Sequence, residues 1–207
     1  GAAGASVYAA TRPEPPRPDA GEAVIRQTYS PHGVHQAGIV TRTPAVTELV
    51  AFALRPNMDA ARLARLLRLW SDDIAKLMAG HPPTADPLPE LAQPGVSLSV
   101  TVGLGARVFE LPGLRGRRPA GLSAVPPMRH DRLQPRWNGG DLLVIVAADD
   151  PVSVATAVRR LTVDAETFAT PTWVQRGSWR GTSSAGDPLT GRNLFGQVDG
   201  TANPIGP

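Results

Sequence analysis

The sequence predicts an α+β domain of two helices and four strands, and three features carry that reading. The apolar segment Val46–Leu54 is followed by Leu63, Leu67, Trp70, Ile74 and Leu77 at spacings of 4, 3, 4 and 3, one stripe of an α-helix. Val96, Leu98, Val100 and Val102 then alternate with Ser97, Ser99, Thr101 and Gly103 as a half-buried strand does, and Leu142–Ala148 is a continuous apolar run. Asp150-Pro151 opens a second helix ahead of the β-branched and aromatic stretch Thr167–Trp179. The order β–α–β–β–α–β is that of a ferredoxin-like split βαβ sandwich.

Taken from the start, residues 1–30 do not read as a packed element. An Ala/Gly-rich run, Gly1–Ala10, precedes Arg12-Pro13-Glu14-Pro15-Pro16-Arg17-Pro18, whose prolines favour extended backbone. Such a leader resembles what remains at the C-terminal side of an export signal, which would place the protein outside the cytoplasm; a plain flexible leader is the alternative. Order is expected from Pro31. The first strand, Val46–Leu54, leads into Pro56-Asn57-Met58-Asp59, helix-start residues, and Gly80 with Pro82-Pro83 ends the first helix. Gly103-x-Gly105 lacks the third glycine of a nucleotide loop. A Gly/Pro/Arg-rich connection, Pro112–Pro135, precedes Gly140-Asp141 and the run Leu142–Ala148, which reads as a strand buried on both faces. In the second helix Val154, Val158 and Leu161 share a face, Asp150 is the cap and Pro151 fills the first turn. The domain boundaries expected are 31–186 for the sandwich and 187–207 for the start of a second unit.

Composition narrows the function classes. With 207 residues, 42% hydrophobic and 19% charged, the chain is globular. The net charge is only +3, the arginines are scattered, and Lys76 is the single lysine. The one basic cluster, Arg115, Arg117 and Arg118, has no aromatic neighbours and reads as surface, so no nucleic-acid partner is expected. The absence of cysteine excludes disulfides and thiolate ligation. The longest apolar run falls well short of the roughly 18 residues that span a membrane as a helix. His32 and His35 form an H-x-x-H pair, but two ligands do not close a metal site, so hydrogen-bonded structural histidines are expected and no metal ligand is assigned. Ser183-Ser184 lacks the context of a serine hydrolase, and no Gly-rich loop ends in Lys-Ser/Thr. Trp173 and Trp179 read as core residues, with electron relay the alternative.

The stretch Gly191–Pro204 holds the most specific residues. Gly196 and Gly200 bracket Asp199, an arrangement that reads either as a tight Asp-Gly turn or as backbone lying close to a flat partner. Arg192-Asn193-Leu194-x-Gly196-x-x-Asp199-Gly200-Thr201-x-Asn203-Pro204 resembles the G-x-x-D-G loop of the dye-decolourising peroxidases, with Gln197-Val198 where that family often has Phe-Lys. Gly33-Val34-His35-Gln36-Ala37-Gly38-Ile39 is similar to the family's entry segment, and Gly103-Leu104-Gly105 through Phe109 to its G-x-G-x-x-x-F element.

The resemblance implies two ferredoxin-like domains, of which this chain carries the first and the opening of the second. It implies haem b as cofactor, hydrogen peroxide and an aromatic or dye reductant as substrates, and Asp199 as the distal acid–base. Gly196, Gly200, Thr201 and Ala202 would lie against the haem. An aspartate base implies an acidic optimum, because its unperturbed pKa is about 3.9. The family's proximal histidine lies downstream of the loop, and no histidine follows Asp199 here. A C-terminal half or a companion chain is therefore expected to supply it, and this chain alone is not expected to be a competent peroxidase. Two other functions stay open: a member that processes haem for iron acquisition, and a non-catalytic ferredoxin-like binding module. The oligomeric state is left open.

Overall fold

The computed structural model describes residues 27–123, 125–179, 191–193 and 195–198. The leader up to Arg26, Ser183-Ser184 and Asp199–Ala202 lie outside the described residues. The elements run β1 (Val46–Leu54), α1 (Ala60–Met78), β2 (Ser99–Leu104), β3 (Leu142–Ala148), α2 (Pro151–Ala165) and β4 (Ala169–Ser178), with short 3₁₀ turns at Pro89–Leu91, Ala106–Glu110 and Pro135–Trp137. The sheet order is β2-β3-β1-β4 and every neighbouring pair is antiparallel, which is the split βαβ sandwich that the element order predicts.

The second helix starts at the cap read from the sequence, Asp150, and the first at Asp59, the last of the helix-start residues. The Asp59 carboxylate accepts from the Arg62 amide at 2.7 Å, and that of Asp150 from the Ser153 amide at 2.7 Å and its hydroxyl at 2.6 Å. Helix α1 ends where Gly80, at φ +76°, lets the His81 amide reach back to the Lys76 carbonyl at 2.8 Å. A Cβ on Gly80 would also lie 2.4 Å from the backbone of Pro94.

The core fills the space between the helices and one face of the sheet. Leu63, Leu66, Trp70, Ile74 and Leu77 enter it from α1, and Val154, Ala157 and Leu161 from α2. Leu66 is fully buried whereas Leu67 and Val158 are only partly so, because a helix lying on a sheet buries a stripe wider than one residue per turn. Trp70 is the keystone of this layer. Its ring packs on Phe52 of β1, centroids 5.6 Å apart, and its indole N–H donates to the Leu161 carbonyl of α2 at 2.9 Å.

Two strand expectations need correction. Strand β2 begins at Ser99 and not at Val96, because Ser97 takes φ 56° and interrupts the extended backbone. Ser97 and Ser99 are buried as deeply as Val96 and Leu98, since the Ser97 amide pairs with the Gln27 carbonyl and Val96 bridges Gln27. Strand β3 is not buried on both faces within the described residues: Leu142, Val144 and Val146 are sealed, but Leu143 and Ile145 are half-buried. Both helices lie on the other side. Register places three rows across the helix-free face: Ser99–Ala147–Thr47–Gly177, Thr101–Ile145–Leu49–Gln175, and Gly103–Leu143–Ala51–Trp173. This face is small and apolar along its middle.

Candidate functional site

The entry segment is tied to the edge of the sheet. The Gln36 side chain accepts from the Val102 amide at 2.9 Å and donates to its carbonyl at 3.0 Å, so one amide group occupies the open edge of β2 as a neighbouring strand would. The Thr101 hydroxyl donates to the Ala37 carbonyl at 2.7 Å. Gly38, at φ +99°, lies so close that a Cβ would sit 2.4 Å from the Thr101 hydroxyl. Arg42 then pairs with Asp149, whose second oxygen accepts from the Ala45 amide at 3.1 Å. Gly38 to Ala45 thereby form one wall of a cleft of about 420 Å³, floored by Thr47, Ser99, Thr101, Ile145 and Ala147 and closed by Trp179. The cleft opens on the helix-free face of the sheet.

Trp179 joins this cleft to the terminal loop. Its amide donates to the Ala45 carbonyl at 2.8 Å, extending the β1–β4 pairing. Gly191 lies flat against its ring, where a Cβ would come within 1.7 Å of the indole carbons. The loop beyond is built around Asn193. The Asn193 carboxamide oxygen accepts from the Phe195 and Gln197 amides at 3.0 Å each, and its NH₂ donates to the Gln197 side-chain oxygen at 3.0 Å. The Asn193 amide donates to the Gln197 carbonyl, Arg192 donates to the Gly196 carbonyl at 2.8 Å, and Arg192 bridges Val198 in antiparallel fashion. The turn is closed between Arg192 and Val198.

Of the residues read as a site, Gly196 is described. It takes φ +81°, and a Cβ there would meet nothing within 4 Å, so the space over it is open. Asp199, Gly200, Thr201 and Ala202 lie outside the described residues. Sequence reasoning did not single out Asn193 as the hub; an Asn two to four residues before the backbone it caps was the available signal. It also placed Trp173 and Trp179 in the core, whereas both are half-buried on the helix-free side. Trp173 instead donates to the Gly139 carbonyl at 2.9 Å and walls a second cleft of about 280 Å³ with Gly103, Gly105 and Gly140.

The described residues meet the demands of a flat haem on one count and not on another. The turn leaves open space beside Gly196. No group of three His, Cys, Asp or Glu that could hold a metal exists among the described residues. His32, His35, His81 and His130 are all exposed. The expected structural hydrogen bonds of His32 and His35 are not made by their imidazoles; only the His32 backbone bonds, to Ser30.

Comparison with known proteins agrees with this architecture. Residues 36–178 match the family described as Dyp-type peroxidase, N-terminal. The chain is 38% identical over 179 residues to a dye-decolorizing peroxidase of Thermobifida fusca, covering 82% of this chain and 41% of that protein. It is 32% identical over 186 residues to a deferrochelatase of Escherichia coli K12, covering 84% of this chain and 44% of that one. The crystal structure of a DyP-type peroxidase from Cellulomonas bogoriensis superposes with a TM-score of 0.81 at 45% identity, over 87% of this chain and 50% of that one. The chain thus spans about half the length of the relatives it matches.

Proposed function

The chain belongs to the Dyp-type peroxidase family, and we propose that it builds the distal wall of a haem peroxidase site in which Asp199 serves hydrogen peroxide as acid–base. The observation that carries this reading is the meeting of two distant segments at Trp179: Gly38–Ala45, which continues the entry segment, on one side and Gly191, where the terminal loop begins, on the other. Haem b, when bound, supplies the redox chemistry that oxidises dyes or phenolic compounds. This chain's residues do the rest. Gly196 leaves room for a flat group, and Gly200, Thr201 and Ala202 are proposed as further contacts of the haem. The Asp199 carboxylate takes the proton from one peroxide oxygen and returns it to the other, so that water can leave.

The iron ligand is proposed to come from a further half of the protein, since the chain spans about half the length of its relatives and its four histidines are exposed. That half is proposed to cover the helix-free face of the sheet. The helix-free face carries Leu49, Leu143 and Ile145 half-buried, and the run Leu142–Ala148 is apolar at every position. Residues 31–186 would then be the first domain and 187–207 the start of the second, with residues 1–30 an export leader of an extracytoplasmic protein.

Two expected results test this assembly. In the full-length protein Ile145→Lys should destabilise by about 2–3 kcal/mol, because it replaces a buried apolar side chain with a charge. In a polypeptide of these 207 residues alone it should cost under about 1 kcal/mol, the span of strand propensity on an exposed face. Urea unfolding of both forms measures the difference, and equal costs would remove the second half from that face. Gly191→Ala should lower the rate of peroxide consumption by about 10²-fold through displacement of the turn, while sandwich stability is little changed. A wild-type rate in that variant would uncouple the turn from the chemistry.

The similarity to a deferrochelatase supports a second reading, release of iron from haem. Product analysis separates the two: iron-free porphyrin accumulates in one case, oxidised reductant with intact haem in the other.

A further inference from the structure

Between the two helices, away from the cleft, lies a group of charges that the proposed chemistry does not use. Asp73 of α1 and Asp164 of α2 are 2% and 7% exposed. Arg160 of α2 stands between them, its Nε 2.7 Å from Asp73 Oδ2 and an Nη 2.9 Å from Asp164 Oδ1. The charges around them are unevenly placed. Lys76 is 3.7 Å from Asp73 and donates outward to Thr84, and Arg159 is held by Asp86 at 2.8 Å. Glu90, on the adjoining 3₁₀ turn, is exposed, and Glu48 on the helix side of the sheet is taken by Arg176 at 2.8 Å. Two carboxylates therefore share one half-buried guanidinium, with Lys76 a looser second partner of Asp73 alone.

One atom reports the consequence. Asp164 Oδ2 is sealed from solvent and accepts no hydrogen bond. A buried carboxylate oxygen without a donor is costly, whereas a protonated carboxyl at that atom becomes a donor. We propose that Asp73 and Asp164 hold one proton between them, and that this proton latches α1 to α2 so that the helix layer is tightest in acid. The electrostatics point the same way: burial first, then the charge and hydrogen bond of Asp73, push the Asp164 carboxyl up to about 7, against the pull of Arg160.

The sign of the effect is opposite to that of an ordinary ion-paired aspartate. Below the unfolded value near 3.8 the group is protonated folded and unfolded, and its contribution is complete. As pH rises toward about 7 the unfolded chain ionises while the folded one keeps its proton, so stability falls. The unfolding constant gains up to about tenfold per pH unit over that window from this group.

The test is urea unfolding of the full-length protein, followed by circular dichroism at about pH 5 and about pH 8. Asp164→Asn keeps the shape and the donor but cannot ionise. Relative to wild type it should gain at least about tenfold in folding equilibrium between about pH 5 and about pH 8, and flatten the profile between. Asp73→Asn should bring the Asp164 titration down, which carboxyl NMR of labelled aspartate reads directly and in wild type as well. A wild-type Asp164 that titrates below about pH 5, or an Asp164→Asn profile parallel to wild type, would overturn the latch. If neither variant folds, the wild-type NMR titration decides alone.

Discussion

Asp199→Asn in the full-length protein is expected to bind haem as wild type does while its reaction with hydrogen peroxide slows by about 10²–10⁴-fold, the usual contribution of a positioned acid–base. The substitution preserves size and hydrogen bonding and removes only the ability to take and return a proton. The loop that presents it should stay in place, because its hub is Asn193 and its anchor is Gly191 on Trp179, neither of which the substitution touches. Stopped-flow consumption of peroxide at matched haem occupancy measures the effect. Equal rates would leave Asp199 as a turn residue and move the proton transfer to another group. A rate loss that tracks lost haem would instead make it a structural residue of the pocket.

Trp70→Ala is expected to destabilise the sandwich by about 3–5 kcal/mol, from lost burial and the cavity left behind. That is a large share of the roughly 5–15 kcal/mol by which domains are stable. The ring is 1% exposed, packs on Phe52 from the sheet and bonds the Leu161 carbonyl of the second helix, so it ties three elements at once. Trp70→Phe separates the two parts: it keeps much of the bulk but leaves that buried carbonyl without its donor, at a cost of about 1–3 kcal/mol. Circular dichroism in urea is the measurement, since Trp137, Trp173 and Trp179 would confuse fluorescence. A Trp70→Ala chain as stable as wild type would mean that the helix layer is held elsewhere.

Much of the fold was legible because its causes are local. Val46–Leu54 forms a strand over those residues, Asp59 and Asp150 cap the helices, and Gly80 ends the first. Each depends on neighbours a few positions away, through backbone propensity and side-chain period. The start of β2 was not legible, because alternation across Val96–Val102 continues straight through Ser97, whose positive φ is imposed by Gln27 pairing across it. Leu66 outranks Leu67 in the core for a similar reason: the helix's contact surface, and not the spacing, decides the centre of the stripe.

For the site, sequence by itself determined the residue types: the glycines, the single aspartate between them, and the family those letters resemble. It also determined that Leu142–Ala148 is a continuous apolar run. Tertiary structure alone decided that Gln36 seals the edge of β2, that Gly191 lies under Trp179, and that the helix-free face presents Leu49, Ala51, Leu143 and Ile145 in register. It alone set Asp73 against Asp164 around one arginine. These are meetings of residues far apart in the chain, and no local propensity encodes them. They follow from the order in which antiparallel pairing places the strands, and from which face of the sheet the two crossover helices cover.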